Sequence, residues 1–418
     1  MEYIITQPIY LWAFQTNREQ LRLLLPFRSE KLPIIPQQIY DITINKNQKI
    51  DLLFKSYLSV ILVKKLVGNI IYPRRHALRI LSQQHDFTKR KIRCIATLSG
   101  NSKYVCSIDF HQTMPLLATS SFTKRSNICR LKLWNISLDY SSYTCVITIK
   151  KNFSICTNLS IVFHPTELIL AICYDKTIEL MQISADYKSL TSIINFEGHN
   201  SRIQSIAFHT SGCFLASASS DKTIKLWSIS PDLISITCIN TLIGHCGGVR
   251  CITFHPTANL IATGSNDNTT KLWSFSPDFS VETRVVTLLG HTSNVTSVAF
   301  HQKEPLLATG SDDRSVKLWQ ISPDIFSATC VVTLQNCSNT FIKSVAFHPT
   351  ALLLATGSGS FNGPNFCLKL WRISPEFKFA TCVEDLSEYS NAIFSMSFHP
   401  NKSILATGSS DRNIKLWK

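Results

Sequence analysis

Fourteen residues recur along this chain with little change, and no other feature limits its fold as tightly. The clearest copy is Leu306–Trp319, a short apolar run, a polar turn and a second short run ending in tryptophan. Near-copies occupy Phe214–Trp227, Leu260–Trp273 and Ile404–Trp417. Copies with longer loops lie at Leu116–Trp134 and Leu353–Trp371, and a degenerate one at Ile169–Met181. That makes seven. Each reads as strand, tight turn, strand.

Successive tryptophans stand 46 residues apart in the regular copies and 52 where a loop is enlarged. A period of this size, carrying four short strands, is the mark of a propeller blade. In the fifth copy Val295–Phe300 alternates as a first strand and His301–Pro305 forms the turn. Leu306–Ser311 is then the second strand, Val316–Trp319 the third and Cys330–Leu334 the fourth. The chain ends just after the third strand of copy seven. Arg93–Leu98 matches the fourth-strand segments Thr237–Leu242 and Thr329–Leu334, so it is expected to complete that last blade. Closure of this kind leaves no long sheet edge exposed. The expected fold is all-β, a seven-bladed propeller over residues 92–418 with a small α-helical module at 1–91.

Gly198-His199, Gly244-His245 and Gly290-His291, each followed at the proper interval by Leu-Trp, make residues 92–418 resemble the WD-repeat β-propeller family. The family's aspartate after tryptophan is missing: Asn135, Ser228, Ser274, Gln320, Arg372 and Lys418 stand there. Carry-over from members that dock on a cullin ligase through Trp-Asp-x-Arg is weakened accordingly. The resemblance implies a buried hydrogen-bonded chain in each regular blade, from turn aspartate to histidine to hydroxyl to indole. The sets would be His199, Asp221 and Trp227; His245, Asp267 and Trp273; and His291, Asp313 and Trp319 with Thr309 or Ser311. Copy seven keeps Asp411 and Trp417 but has Tyr389, copy six has Cys337, copy one Asn101, and copy two almost nothing. Blades three to five should therefore be the rigid half.

Ser, His and Asp together invite a hydrolase reading, yet a catalytic triad occurs once, beside an oxyanion hole. A set repeated in three successive copies is architecture, so no enzyme activity is expected. The Phe-His pairs ending each first strand, from Phe110-His111 to Phe398-His399, fall one per blade and are read as turn caps, with no metal and no cofactor expected. Fourteen cysteines include no Cys-x-x-Cys pair. Cys145, Cys238, Cys330 and Cys382 share one repeat position, too far apart to pair. They are expected as small buried fillers in a reducing compartment. Met1–Ile5 lacks a signal-peptide pattern, and the apolar run at Ser56–Val63 is too short to span a bilayer. An intracellular, cytoplasmic protein is expected, with the nucleus as the alternative.

Residues 1–91 hold 15 Lys and Arg against 6 Asp and Glu, so most of the net charge of +15 lies there. Apolar spacing predicts helices at Leu11–Leu25 and Lys49–Asn69, with a short one at Arg74–Ser82. Leu32-Pro33, Ile39, Asp41-Ile42 and Asp51–Leu53 loosely resemble an F-box over residues 32–76, which would imply a link to a cullin ubiquitin ligase. Partners are expected on the face bearing the second-to-third-strand turns. Gln204, Arg250, Lys343 and Phe394 should point into that mouth, giving a basic, partly aromatic site for an acidic or phosphorylated peptide. Ser120–Arg130, with Lys124 and Arg125, and Gly357–Cys367, with Phe361, are irregular loops on the same face. They place the expected partner site over blades six, seven and one. The leading reading is a non-enzymatic scaffold or adaptor. The alternatives are an F-box substrate receptor and a nucleic-acid or chromatin-associated protein using Lys64–Lys91 and Lys124–Arg125.

Overall fold

The computed structural model describes residues 12–17, 20–24, 39–43 and 92–418, apart from 103, 124–127, 138–141, 153–158, 234, 325–326, 336–339, 361–366 and 387–390. The chain divides into two units, residues 1–89 and 90–418.

In the first unit Trp12–Asn17, Gln20–Leu24 and Ile39–Thr43 form a three-stranded antiparallel sheet in chain order. The helix expected over Leu11–Leu25 is thus a hairpin, pairing Trp12 with Leu24 and Phe14 with Arg22. Its helical spacing in Leu11, Phe14, Leu21 and Leu24–Leu25 is broken by the polar run Gln15–Gln20. Gln15–Asn17 and Gln20 lie instead in the two strands, a polar interruption that suits a hairpin better than one helix. Ile39, Asp41 and Ile42 of the F-box-like stretch lie in the third strand. The rest of that stretch and the helices expected at 49–69 and 74–82 lie outside the described residues.

The second unit is the seven-bladed propeller. Six blades are consecutive four-stranded antiparallel sheets, and the seventh takes its outer strand from Cys94–Leu98. Ile414 pairs with Leu98 and Trp417 with Cys94, while Arg93 and Lys418 exchange both backbone bonds at 3.1 Å. Joining the two ends of the repeat in one sheet locks the ring.

Burial explains each strand's composition. Second strands such as Leu306–Ser311 and Leu353–Ser358 are buried on both faces, between neighbouring blades, and so read as unbroken runs of apolar and small residues. Outer strands such as Ile236–Ile243 are largely exposed. Glycine in the repeated Ala-Thr-Gly-Ser marks a close approach. A Cβ on Gly310 would stand 2.6 Å from Ile342 Cγ2 of the next blade, and one on Gly264 2.5 Å from Val295 Cγ1.

Two rings stitch blade to blade. Around the channel, serine hydroxyls accept backbone N–H bonds from the next inner strand: Ser107 from Ile161, Ser160 from Ile206, Ser297 from Val345, Ser344 from Met396 and Ser395 from Ile108. At the inner-strand exits the Phe-His pairs act as turn caps and do more. Nδ1 of His111, His164, His255, His301 and His348 each accepts N–H bonds from residues two and three further on. Every imidazole also meets the phenylalanine of the next blade at 5.0–5.3 Å between ring centres, His399 closing the circle on Phe110.

Burial lowers the pKa of these imidazoles, to about 4 at His348 and His399. Protonating Nδ1 would also remove the turn's acceptor. A folded pKa below the unfolded value near 6.5 contributes stability that is complete above pH 6.5 and lost as pH falls toward 4. For His348 alone the loss approaches about 3 kcal/mol. His348→Gln should flatten the decline in melting temperature between pH 6.5 and 4. An unchanged slope would mean that the ring does not titrate with unfolding. Asp109, the one acid among the described inner strands, has the opposite sign. Burial pushes its carboxyl up to about 7 despite N–H bonds from Phe163 and Phe110. Its ionisation therefore costs stability as pH rises from about 4 to 7. Asp109→Asn should raise the melting temperature at pH 8 and leave it unchanged at pH 4.

Candidate functional site

The channel mouth is a cavity of about 520 Å³ with unlike walls. Gln204, Arg250, Lys343 and Phe394, singled out from sequence, all line it, and so do Phe122, Cys106 and Thr296. Lys124, Arg125 and Phe361 lie outside the described residues, as do Cys337 and Tyr389.

On the side of blades seven, one and two the wall is aromatic. Tyr104 stacks at 5.3 Å on Phe122 and meets the edge of Phe394 at 5.8 Å, over buried Leu159. Phe122 is an addition to the residues expected at the mouth. The stretch Ser120–Arg130, expected as an irregular loop, instead extends the hairpin of blade one: Phe122 pairs with Cys129 and Thr123 with Ile128. Alternation in Ser121-Phe122-Thr123 is the signal that marks it. The extra pairs carry Phe122 up to the channel axis, where it is 2% exposed.

On the side of blades three to six the wall is polar. Gln204 Nε2 donates to Ser220 Oγ at 2.7 Å, and the Arg250 guanidinium donates to the Asn266 side-chain carbonyl. Lys343 Nζ lies 2.7 Å from Asp312 Oδ1 and 4.9 Å from the Phe341 ring. The mouth is therefore less basic than its residue types suggest. Asp312 neutralises Lys343, while Arg250 meets only a neutral partner and keeps its charge available.

Below the mouth, the braces of blades three to five are closed networks. In blade three Trp227 Nε1 donates to Ser217 Oγ at 2.9 Å, that hydroxyl meets His199 Nε2 at 2.8 Å, and His199 Nδ1 meets Asp221 Oδ2 at 2.9 Å. Blade four repeats this through Trp273, Thr263, His245 and Asp267, and blade five through Trp319, Thr309, His291 and Asp313. One tautomer uses every hydrogen: indole to hydroxyl, hydroxyl to Nε2, and Nδ1–H to carboxylate. Burial raises the Asp221 carboxyl, but the Thr223 hydroxyl and amide and His199 outweigh it and hold it at about 2. Asp267 is held at about 2 in the same way by Thr269 and His245. Burial lowers His199 and His245 despite their aspartates, so each pair is a neutral imidazole on a carboxylate.

Among the described residues, blades six, seven and one keep the indole bond, from Trp371 to Thr356, Trp417 to Thr407 and Trp134 to Thr119, at 2.9–3.0 Å, and blade seven also keeps the turn bond from Asn413 N to Asp411. Blade two, almost bare by the repeat pattern, carries a replacement. Lys151 stands where the repeat has glycine and Glu179 where it has lysine, and the two form an ion pair with Glu179 buried. Tyr174 completes the group: its ring lies 5.1 Å from Lys151 Nζ, and its hydroxyl, bonded to Glu179, is pushed up to about 12 by burial and that carboxylate. The exchanged pair is legible as a double departure from the repeat.

The cysteine expectation needs two corrections. Cys145, Cys238, Cys330 and Cys382 are exposed, not buried. Each sits at the bulge opposite tryptophan in an outer strand, and its thiol donates to the carbonyl two residues on, which fixes the bulge. Cys129 is disulfide-bonded, where free thiols alone are expected from sequence.

A family model described as WD domain, G-beta repeat matches residues 92–135, 190–228, 236–274, 282–320, 328–372 and 380–418. With well over half of the chain matched, the protein belongs to the WD-repeat family, whose propellers are typically protein-interaction scaffolds. The unmatched stretch 136–189 contains the first three strands of blade two, the blade with the replaced brace, whose outer strand Leu190–Glu197 falls in the next match. No curated protein matches the chain.

Removing one partner of a buried ion pair typically costs about 3–5 kcal/mol, whereas replacing both with apolar groups is often close to neutral. Lys151→Met alone should therefore lower stability by that amount, and Lys151→Met with Glu179→Leu should recover most of it. A denaturant-unfolding double-mutant cycle measures the coupling; additive losses would show that the pair does not brace blade two.

Proposed function

We propose that this chain is a non-enzymatic adaptor inside the cell whose propeller mouth holds a short acidic peptide, phosphorylated or carboxylate-bearing, beside an apolar side chain. The carrying observation is the two-sided cavity: Phe122 and Phe394, backed by Tyr104, on one wall, Arg250, Lys343 and Gln204 on the other. An aromatic wall removes apolar surface from water, and a guanidinium with only a neutral neighbour offers a fork to two anionic oxygens. A volume of about 520 Å³ fits one or two side chains rather than a folded domain.

Arg250 carries the anion contact in this reading, because Lys343 is already engaged by Asp312. Arg250→Glu should weaken capture of acidic or phosphorylated ligands from a peptide array at least tenfold, an effect of about 1.4 kcal/mol or more. Phe394→Ala should weaken ligands with an aromatic or aliphatic neighbour and spare those without one. If Arg250→Glu left the whole array pattern unchanged, the mouth would not be the anion site.

A further inference from the structure

Blade one is braced in a way that leaves a place open. Asn101 stands 18 residues before Thr119, the interval that separates His199 from Ser217. The side chain is 3% exposed, and neither its Oδ1 nor its Nδ2 has a hydrogen-bond partner. An imidazole spans from the strand hydroxyl to the turn carboxylate, and asparagine is too short to reach either. Thr119 still accepts the Trp134 indole, at 3.0 Å. The aspartate is missing too, for the sequence from Ser121 to Arg130 contains no acid.

Two cations converge on the same spot. Arg130 Nη1 donates to Gly100 O at 3.5 Å, and its Nε is buried without a partner. Lys132, 9% exposed, places Nζ where a Cβ on Gly100 would be 3.1 Å away. That ammonium meets the Cys145 thiol at 3.6 Å and the Trp134 ring at 5.0 Å. Among the described residues no carboxylate pairs with either cation. Leaving buried donors and charge unmatched is costly, so such groups are ordinarily satisfied by water, an ion or a ligand.

We propose that blade one holds a carboxylate-binding site formed by Asn101, Arg130 and Lys132, in which an aspartate or glutamate of a partner completes the interrupted brace. The position corresponds to that of Asp221, Asp267 and Asp313, whose carboxylates are only 9–11% exposed yet lie at the blade's edge. The backbone N–H that anchors those carboxylates is here Ser102 N, which donates to Ser121 Oγ at 3.0 Å. The incoming carboxylate is therefore held by Asn101 Nδ2 and Arg130 Nε, with Lys132 supplying charge. A single bound water is the competing occupant.

Thermal unfolding of the full chain at pH 7 and fixed ionic strength, in chloride, acetate or phosphate, tests this. Acetate should raise the melting temperature saturably by about 1–3 °C over chloride. Arg130→Gln or Lys132→Met should abolish that rise, and Asn101→Asp should raise the melting temperature in chloride and leave no acetate response. Arg250→Glu should keep the full acetate response, which separates this site from the channel mouth. An equal response in chloride, or one that survives both Arg130→Gln and Lys132→Met, would overturn the proposal and leave water as the occupant. An Arg130-dependent response to phosphate without one to acetate would overturn the carboxylate assignment.

Discussion

Contact between neighbouring blades is the constraint on which the rest of this propeller depends. A second strand can be buried on both faces only if the next blade's inner strand comes close enough to cover it. That approach leaves no room for a side chain at Gly264 or Gly310, where Val295 and Ile342 press in. Such proximity also brings the serine hydroxyls onto the next blade's amides and each imidazole onto the next phenylalanine. A ring built from identical steps has to return to its start, and pairing Cys94–Leu98 with Ile414–Trp417 makes it do so. Sequence repetition and ring closure are one requirement in two forms.

Much of this architecture is legible in the amino-acid sequence. The tryptophan spacing fixes the number of blades, and the match of Arg93–Leu98 to other outer strands fixes how the ring closes. Legibility ends where a departure from the repeat is mistaken for loss. Lys151 and Glu179 each look like a decayed position, yet they substitute for each other's repeat partners across the blade. Phe122 looks like part of a loop because the regular copies end their second strand at the position of Ser121. Three more residue pairs than the five of a regular blade cost little and bring the ring into the cavity wall. The hairpin of Trp12–Asn17 and Gln20–Leu24 departs from expectation for another reason: apolar residues seven apart fit a helix and also fit two paired strands interrupted by polar residues. The outer-strand cysteines are exposed because strand position, not residue type, decides burial there.

Unequal bracing gives the molecule a polarity that its repeats conceal. Blades three to five commit their buried polar groups to closed networks, and their mouth residues are short-range polar contacts to their own turns or a neighbour's. Blades seven and one fill the mouth with rings and, among the described residues, keep fewer internal bonds. Apolar contact is tolerant of small displacements while hydrogen bonds are not. The stiff side is thus the one that presents directional groups, and the less tied side is the one that presents surfaces able to adjust.

The same logic separates two kinds of departure from the repeat. Where a substitution is compensated within the chain, as Lys151 with Glu179, the blade is complete and its change says little about partners. Where compensation is missing, as at Asn101, the chain carries a cost that its own residues do not offset. Selection for stability alone would remove it, since a histidine and an aspartate, already used three times in the neighbouring repeats, would restore the network. An uncompensated buried asparagine beside two cations is therefore evidence about what binds rather than about how the blade folds, and it directs attention to the interrupted brace of blade one as well as to the channel.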